Sequence, residues 1–300
     1  MKGIMIYLDG AMIFADQKLL KSLSPGILKG DGVFETMRSY GARQDQRIVK
    51  IFQLALHLSR LARGLKALNI PPPISLNPRI SVDAVGFNFP GKEIIEKILR
   101  LNNLVNAKVR LTVWKSGKKI HSAITVVPYK PFSENKYKKG FSAMVSRITL
   151  DESSMLNGIK SIRYDFFLKA YQRARLHGYD EALLFNRRGE LVEGSRSNIF
   201  FVTDKVLCTP PLRSGCLAGI TRQLVIKIAG EMGIEIKQRK VTLFDILEAR
   251  EVFLTNSLLE VMPLTSIEGK DLNGGKAGKL TLQILKEYRI GLSRLPVKRT

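Results

Sequence analysis

Apolar residues recur along this chain with two periods, and the switches between them mark its elements. Residues 3–8, Gly-Ile-Met-Ile-Tyr-Leu, read as a strand. A second strand around Gly32–Ser39, a turn at Gly41 and a return around Arg47–Phe52 read as a hairpin. Leu58, Leu61, Leu65 and Leu68 recur at helical spacing and predict a helix with one buried face. Pro71, Pro72 and Pro73 end it, because consecutive prolines supply no backbone donors. Residues 91–103 predict another helix, and Lys108–Trp114 and Ser122–Val127 a strand pair joined across Gly117. The stretch 128–140 has two prolines, four lysines and little apolar periodicity, and reads as a linker. Beyond it the pattern predicts a helix over 161–177, a strand over Glu181–Phe185 and a turn at Arg187–Glu190. Extended segments follow at Leu191–Val192 and Ile199–Val202, then a helix over 220–232 behind Gly219 and a strand over Glu251–Thr255. No internal repeat or low-complexity segment interrupts this order. The expectation is an α/β chain of two domains, 1–127 and 141–300, joined by 128–140.

Composition narrows the class. The chain has 300 residues, 45% hydrophobic and 25% charged, enough to build real cores in two domains. No apolar run approaches a membrane span. Asp9 and Asp16 fall where a signal peptide would be apolar, so a cytoplasmic location is expected. Cys208 and Cys216 form no CxxC pair and read as reduced core thiols, and no metal-ligand set is expected. The formal net charge of +23 allows a nucleic-acid surface or an enzyme that attracts anionic substrates. Lys and Arg are scattered rather than gathered in one arm, which favours the second.

Candidate chemistry comes from four short motifs in fixed order. Gly158-Ile159-Lys160-Ser161-Ile162-Arg163-Tyr164 offers an amine, and Glu193-Gly194-Ser195-Arg196-Ser197-Asn198 a carboxylate before a Gly-Ser turn. Gly219-Ile220-Thr221-Arg222 opens a helix, and Thr255-Asn256-Ser257-Leu258 closes a strand with three polar groups. Pyridoxal phosphate requires this combination: a lysine for its aldehyde, an anion for its ring nitrogen, and donors for its phosphate. Each residue alone has a plainer reading. Lys160 would be a surface lysine, Glu193 a turn residue, Thr221 a helix cap, Thr255–Ser257 a turn signal and Arg60 a solvated helix residue. The ordered combination raises them. Lys160, at the start of the predicted helix, could reach a cleft. Glu193 would keep the ring nitrogen protonated. The start of the helix behind Gly219 would be an anion site, and Arg60 would add a cation.

The same motifs carry a family resemblance from about Gly30 to about Pro263. Gly30-Asp31-Gly32-Val33-Phe34-Glu35-Thr36, His57-Leu58-Ser59-Arg60-Leu61, and Gly178-Tyr179-Asp180-Glu181-Ala182 leading into Glu193-Gly194-Ser195 are its residues. The chain resembles the fold-type IV pyridoxal-phosphate enzymes, the group of branched-chain aminotransferases and aminodeoxychorismate lyases. The resemblance implies a two-domain fold of α+β type, similar to D-amino acid aminotransferase. It implies Lys160 as the catalytic lysine, Tyr164 at the ring hydroxyl and Glu193 at the ring nitrogen. Arg60, Ile220, Thr221 and Ser257 would surround the phosphate, with Ser195, Asn198 and Asn256 in the cofactor-binding loops. Thr36 and Arg38 would face the substrate. It also implies a homodimer with sites at the domain interface.

Within the group, the run from Gly30 to Arg38 is similar to the lyases, as are Thr209-Pro210-Pro211-Leu212 through Gly215-Cys216-Leu217 and Thr255–Leu258. Glu260-Val261-Met262-Pro263 is closer to the aminotransferases, and Arg163 stands where the group commonly has a small or amide residue. The expected activity is a lyase that eliminates pyruvate from 4-amino-4-deoxychorismate, giving 4-aminobenzoate for folate synthesis. Lys160 would take the proton from the carbon bearing nitrogen. It must be neutral to do so, and burial beside a cationic site would lower its pKa from about 10.4. The alternative is a branched-chain or D-amino acid aminotransferase. A basic nucleic-acid-binding protein without catalysis is the remote alternative.

Overall fold

A computed structural model describes residues 3–41, 49–73, 92–151 and 153–293. The chain divides into two compact units. Among the described residues, one takes the chain up to Lys130 together with Ile159–Asp165, and the other takes Pro131–Gly158 and residues 166–293.

The first unit holds β1 (Ile4–Leu8), β2 (Ala11–Ala15), α1 (Gln17–Ser22), β3 (Asp31–Gly41), β4 (Val49–Ile51), α2 (Leu54–Ala67), α3 (Lys92–Leu101), β5 (Ala107–Ser116) and β6 (Lys119–Pro128). Its described strands form one sheet in the order β2-β1-β6-β5-β3-β4, with every neighbouring pair antiparallel. The β1–β2 hairpin, not expected from periodicity, turns on Asp9-Gly10, both at positive φ (47° and 98°). That is the two-residue turn whose twist matches paired strands. The β3–β4 hairpin is present, with Arg47 and Ile48 of the expected return lying outside the described residues, as does Gly91 before α3. α2 and α3 cover one face of the sheet: Leu61, Leu65, Ile95, Ile98 and Leu99 join Val33, Met37, Val109, Leu111 and Val113 in one core. Gly64 lets α2 approach closely, since a Cβ there would come within 2.9 Å of the Val33 side chain.

The second unit holds α4 (Glu134–Lys139), β7 (Phe141–Leu150), α5 (Asp165–Leu176), β8 (Glu181–Asn186), β9 (Leu191–Gly194), β10 (Asn198–Thr203) and β11 (Val206–Thr209). It continues with α6 (Ile220–Glu231), β12 (Ile236–Gln238), α7 (Leu243–Leu247), β13 (Glu251–Asn256), β14 (Glu260–Ile267), β15 (Lys270–Asp271) and α8 (Lys279–Ser293). The described strands run β12-β11-β10-β13-β14-β7-β8-β9, with β15 beside β14. β7 lies parallel to both β14 and β8.

Two expectations change here. The stretch 128–140 carries the short helix α4, because the Ser133 side chain caps it at Lys136 N and Tyr137 is buried. The helix expected from residue 161 begins at Asp165. Residues 160–162 are instead tied to β3: Phe34 N donates to Lys160 O and Ile162 N to Gly32 O, both at 2.9 Å. Lys160 is therefore held by sheet pairing and does not open a helix. No helix among the described residues is long and apolar enough to cross a membrane.

Candidate functional site

Strand alternation divides β3 between two surfaces. Val33, Glu35 and Met37 point toward α2, where His57 and Arg60, three residues apart, turn to meet them. The Glu35 carboxylate is fully buried. Arg60 grips it through Nε at 2.7 Å and Nη2 at 2.6 Å, and the His57 Nδ1 lies 2.7 Å from the second oxygen. Burial alone would raise the pKa of Glu35, but Arg60 and His57 outweigh it and bring it to about 2. Burial pushes His57 down, helped by the charges of Arg60 and Lys160 against the opposing pull of Glu35. A neutral imidazole donating from Nδ1 to an ionised Glu35 satisfies this arrangement.

Phe34, Thr36 and Arg38 lie on the other surface, opposite Thr112, Arg110 and Lys108 of β5. The Lys160 Nζ sits 4.7 Å from the centre of the Phe34 ring, and the Arg110 guanidinium 5.7 Å from it. Tyr164 packs edge-on against the same ring at 5.5 Å. Arg38 is buried with its guanidinium over Tyr40 and Tyr129, at 4.3 and 4.9 Å. One apolar ring thus carries a half-buried lysine beside a row of cations, a surface suited to a small carboxylate. Arg163 pairs with Asp31 at 2.6 Å, with both side chains about half exposed.

In the second unit, Glu193 lies in β9, one residue before its end, and its Oε2 accepts from Asn198 Nδ2 at 3.1 Å and from Leu217 N at 3.0 Å. Asn198 also donates to Leu217 O at 2.8 Å. Gly219 packs directly on the Asn198 carboxamide, where a Cβ would collide with it. Glycine is thus required for the chain to pass there into α6. No side chain caps α6, so the N–H groups of its first turn, at the buried residues Ile220 and Thr221, keep their anion-binding character. Thr255 pairs with Asn198 across β13 and β10. Its buried hydroxyl oxygen has no hydrogen-bond partner, which a phosphate oxygen would supply. An uncapped helix start, an orphaned hydroxyl and a fixed carboxylate fit the phosphate and ring nitrogen of pyridoxal phosphate.

The structure brings Lys160, Tyr164, Thr36 and Arg38 onto one unit with Arg60, and gathers Glu193, Asn198, Ile220 and Thr221 on the other, with Ser257 two residues beyond Thr255. Two expected residues are otherwise engaged. Ser195 donates to the buried Glu181 carboxylate. Asn256 holds its own turn, accepting from Leu258 N and Leu259 N at 2.8 and 2.7 Å and donating to Arg196 O at 2.9 Å. These bonds occupy its carboxamide oxygen, so its side chain organises the loop. Sequence reading gave no role to Glu35, His57, Arg110 or Glu181. Alternation along β3 and the i, i+3 pair on α2 were the available signals for the first two. Cys208 and Cys216 are both buried and free, and burial, reinforced by the charge of Glu193, pushes the Cys216 thiol up to about 12.

The chain is similar to known proteins along most of its length. The model for amino-transferase class IV matches residues 32–267. A protein of Methanocaldococcus jannaschii, provisionally assigned as a branched-chain-amino-acid aminotransferase, is 32% identical over 95% of each chain. A T.th. branched-chain amino acid aminotransferase, solved with pyridoxamine 5'-phosphate, superposes with a TM-score of 0.83 at 26% identity, covering 99% of this chain and 96% of that one. The branched-chain aminotransferase of Thermoproteus uzoniensis, solved with norvaline, gives 0.78 at 29% identity over 96% and 94%.

Proposed function

We propose, from the premise that this chain belongs to the class IV aminotransferases, that it is a branched-chain amino-acid aminotransferase working with pyridoxal 5'-phosphate. The observation that carries the substrate class is end-to-end similarity to proteins bearing that name, one of them solved with norvaline and one with pyridoxamine 5'-phosphate. The names of these relatives support the aminotransferase alternative over the lyase activity expected from the Gly30–Arg38 and Thr255–Leu258 motifs.

When bound, pyridoxal phosphate supplies an aldehyde that condenses with amines and a ring that withdraws electrons from the carbon next to nitrogen. The Lys160 amine would hold the aldehyde and, as a neutral amine, would take the proton from the substrate's α carbon. Phe34 below Nζ shields that side from water. Glu193, fixed by Asn198 and the Leu217 amide, holds the proton on the ring nitrogen. The first turn of α6, with Thr221, Thr255 and Ser257, holds the phosphate, and Arg60 contributes its cation. Tyr164 would bond the ring hydroxyl. Thr36, Arg38 and Arg110 orient the substrate carboxylate from the β3–β5 face. The working form is a homodimer.

Purified holoenzyme given L-leucine, L-isoleucine or L-valine alone is expected to convert its bound cofactor to the pyridoxamine form, read by absorbance, and to release the matching keto acid. D-Alanine is expected to convert it far more slowly. Release of pyruvate and 4-aminobenzoate from aminodeoxychorismate, with no keto-acid acceptor and no conversion by the branched-chain donors, would overturn the assignment in favour of the lyase.

A further inference from the structure

The turn after Glu193 is tied to a carboxylate on the neighbouring strand. Glu181 opens β8 and is buried, at 1% exposure. Its Oε1 accepts from the Ser195 hydroxyl and, at 2.9 Å, from Ala182 N. Its Oε2 accepts from the Ser197 hydroxyl at 2.8 Å. The residue between the two serines, Arg196, lies over the Tyr171 ring at 3.7 Å. The turn closes tightly: Gly194 N donates to Ser197 O at 2.7 Å and Ser195 N to Ala182 O at 2.8 Å. Gly194 has no room for a side chain, since a Cβ would collide with the Ser197 hydroxyl and lie 3.1 Å from the Glu181 carboxyl carbon. Glu193 and Asn198 are the two ends of this turn, and it is across the turn that Asn198 reaches Glu193.

We propose that Glu181 is a positioning residue for Glu193: by holding Ser195 and Ser197 from beneath, it sets the turn that brings the Asn198 carboxamide onto the Glu193 carboxylate. It touches neither substrate nor cofactor. The proposal rests on the reading of Glu193 as the ring-nitrogen partner. A carboxylate is suited to the task because its two oxygens accept from both hydroxyls and an amide at once, whereas a carboxamide offers only one oxygen. Sub-ångström looseness in a group aimed at a reacting system is costly to rate.

The test compares holoenzyme carrying ring-15N-labelled pyridoxal phosphate in wild type, Glu181→Ala, Glu181→Gln and Glu193→Gln. In Glu181→Ala the ring-nitrogen shift is expected to move toward the unprotonated value. kcat is expected to fall roughly 10–100-fold with KM nearly unchanged. Amide exchange at residues 193–198 should accelerate in the cofactor-free protein. Glu181→Gln, which keeps one acceptor oxygen, is expected to recover part of both. If Glu181→Ala does not fold, Ser195→Ala/Ser197→Ala removes the same two contacts and is expected to give the same shift. A folded Glu181→Ala or double variant with wild-type ring protonation and kcat within about twofold of wild type overturns the positioning role. A wild-type ring-nitrogen shift in Glu193→Gln overturns the reading of Glu193 itself, and so separates the two failures.

Discussion

Replacing Lys160 with alanine is expected to leave a folded protein that still takes up cofactor and to lower transamination by at least about 10⁴-fold, since it removes both the covalent anchor and the acid–base group. Folding should survive. Residues 160–162 are tied to β3 by backbone hydrogen bonds that alanine keeps, and the Lys160 side chain is only half-buried. The thermal midpoint should therefore change little, as it does for partly exposed positions outside the core. Lys160→Arg keeps a cation near Phe34 but supplies no amine that can condense, and should be as inactive as alanine. The absorbance that marks a covalently held aldehyde should disappear in both. Turnover in Lys160→Ala within tenfold of wild type would remove the lysine from the chemistry.

The second large effect is on stability. Glu35→Ala is expected to cost about 3–5 kcal/mol, because it leaves a buried guanidinium without its carboxylate. Arg60 is 9% exposed and His57 2%, so water has little access to take Glu35's place. Glu35→Gln should cost less, since it keeps an acceptor for one Arg60 nitrogen. The pH dependence is a sharper signature. The pKa of Glu35 in the fold is about 2 against an ordinary 4.5, so the unfolded chain takes up this proton first as pH falls. The contribution, about 3 kcal/mol, is complete above the unfolded value and is lost as pH falls from 4.5 toward 2. His57 acts in the same direction. Its folded pKa lies below the ordinary 6.5, so the unfolded imidazole binds a proton that the buried one resists, and stability declines as pH falls below that value. Urea unfolding of wild type from about pH 7 to about pH 3 should show falling stability across both windows. Glu35→Ala should start lower and lose the part between 4.5 and 2. Parallel curves for the two proteins would contradict the buried pair.

What the sequence made legible follows from what periodicity and motif can encode. The helix at Leu58–Leu68 and the strands at Lys108–Trp114 and Ser122–Val127 carry strong patterns over many residues, and α2, β5 and β6 stand there. The β1–β2 hairpin was legible as an Asp-Gly turn that periodicity alone passed over. Strand β14 was not. It starts from Glu260 at positive φ (61°) and is buried along nearly its whole length, so it shows no alternation. Lys160 illustrates the other limit. Local pattern placed it at a helix start, but pairing with Gly32 and Phe34, more than a hundred residues away in sequence, sets its backbone.

The functional residues divide in the same way. Lys160, Glu193 and the Gly219–Thr221 start stand out in the sequence as candidates because each is a short motif with its own chemistry. Glu35 and Glu181 were not, although both lie inside quoted motifs. Their work is to hold Arg60 in one case and Ser195 with Ser197 in the other, and such contacts appear only once the strands are laid beside their neighbours. Asn256 and Ser195 show the reverse case: a polar side chain in a loop also serves the loop itself.

The central claim is that the side chain at position 160 carries the cofactor. Borohydride reduction of the holoenzyme, followed by proteolysis and peptide mass mapping, tests it most directly. The account predicts one phosphopyridoxyl adduct, on the peptide containing Lys160. An adduct on any other lysine, or a reduced holoenzyme with no modified peptide, would contradict it.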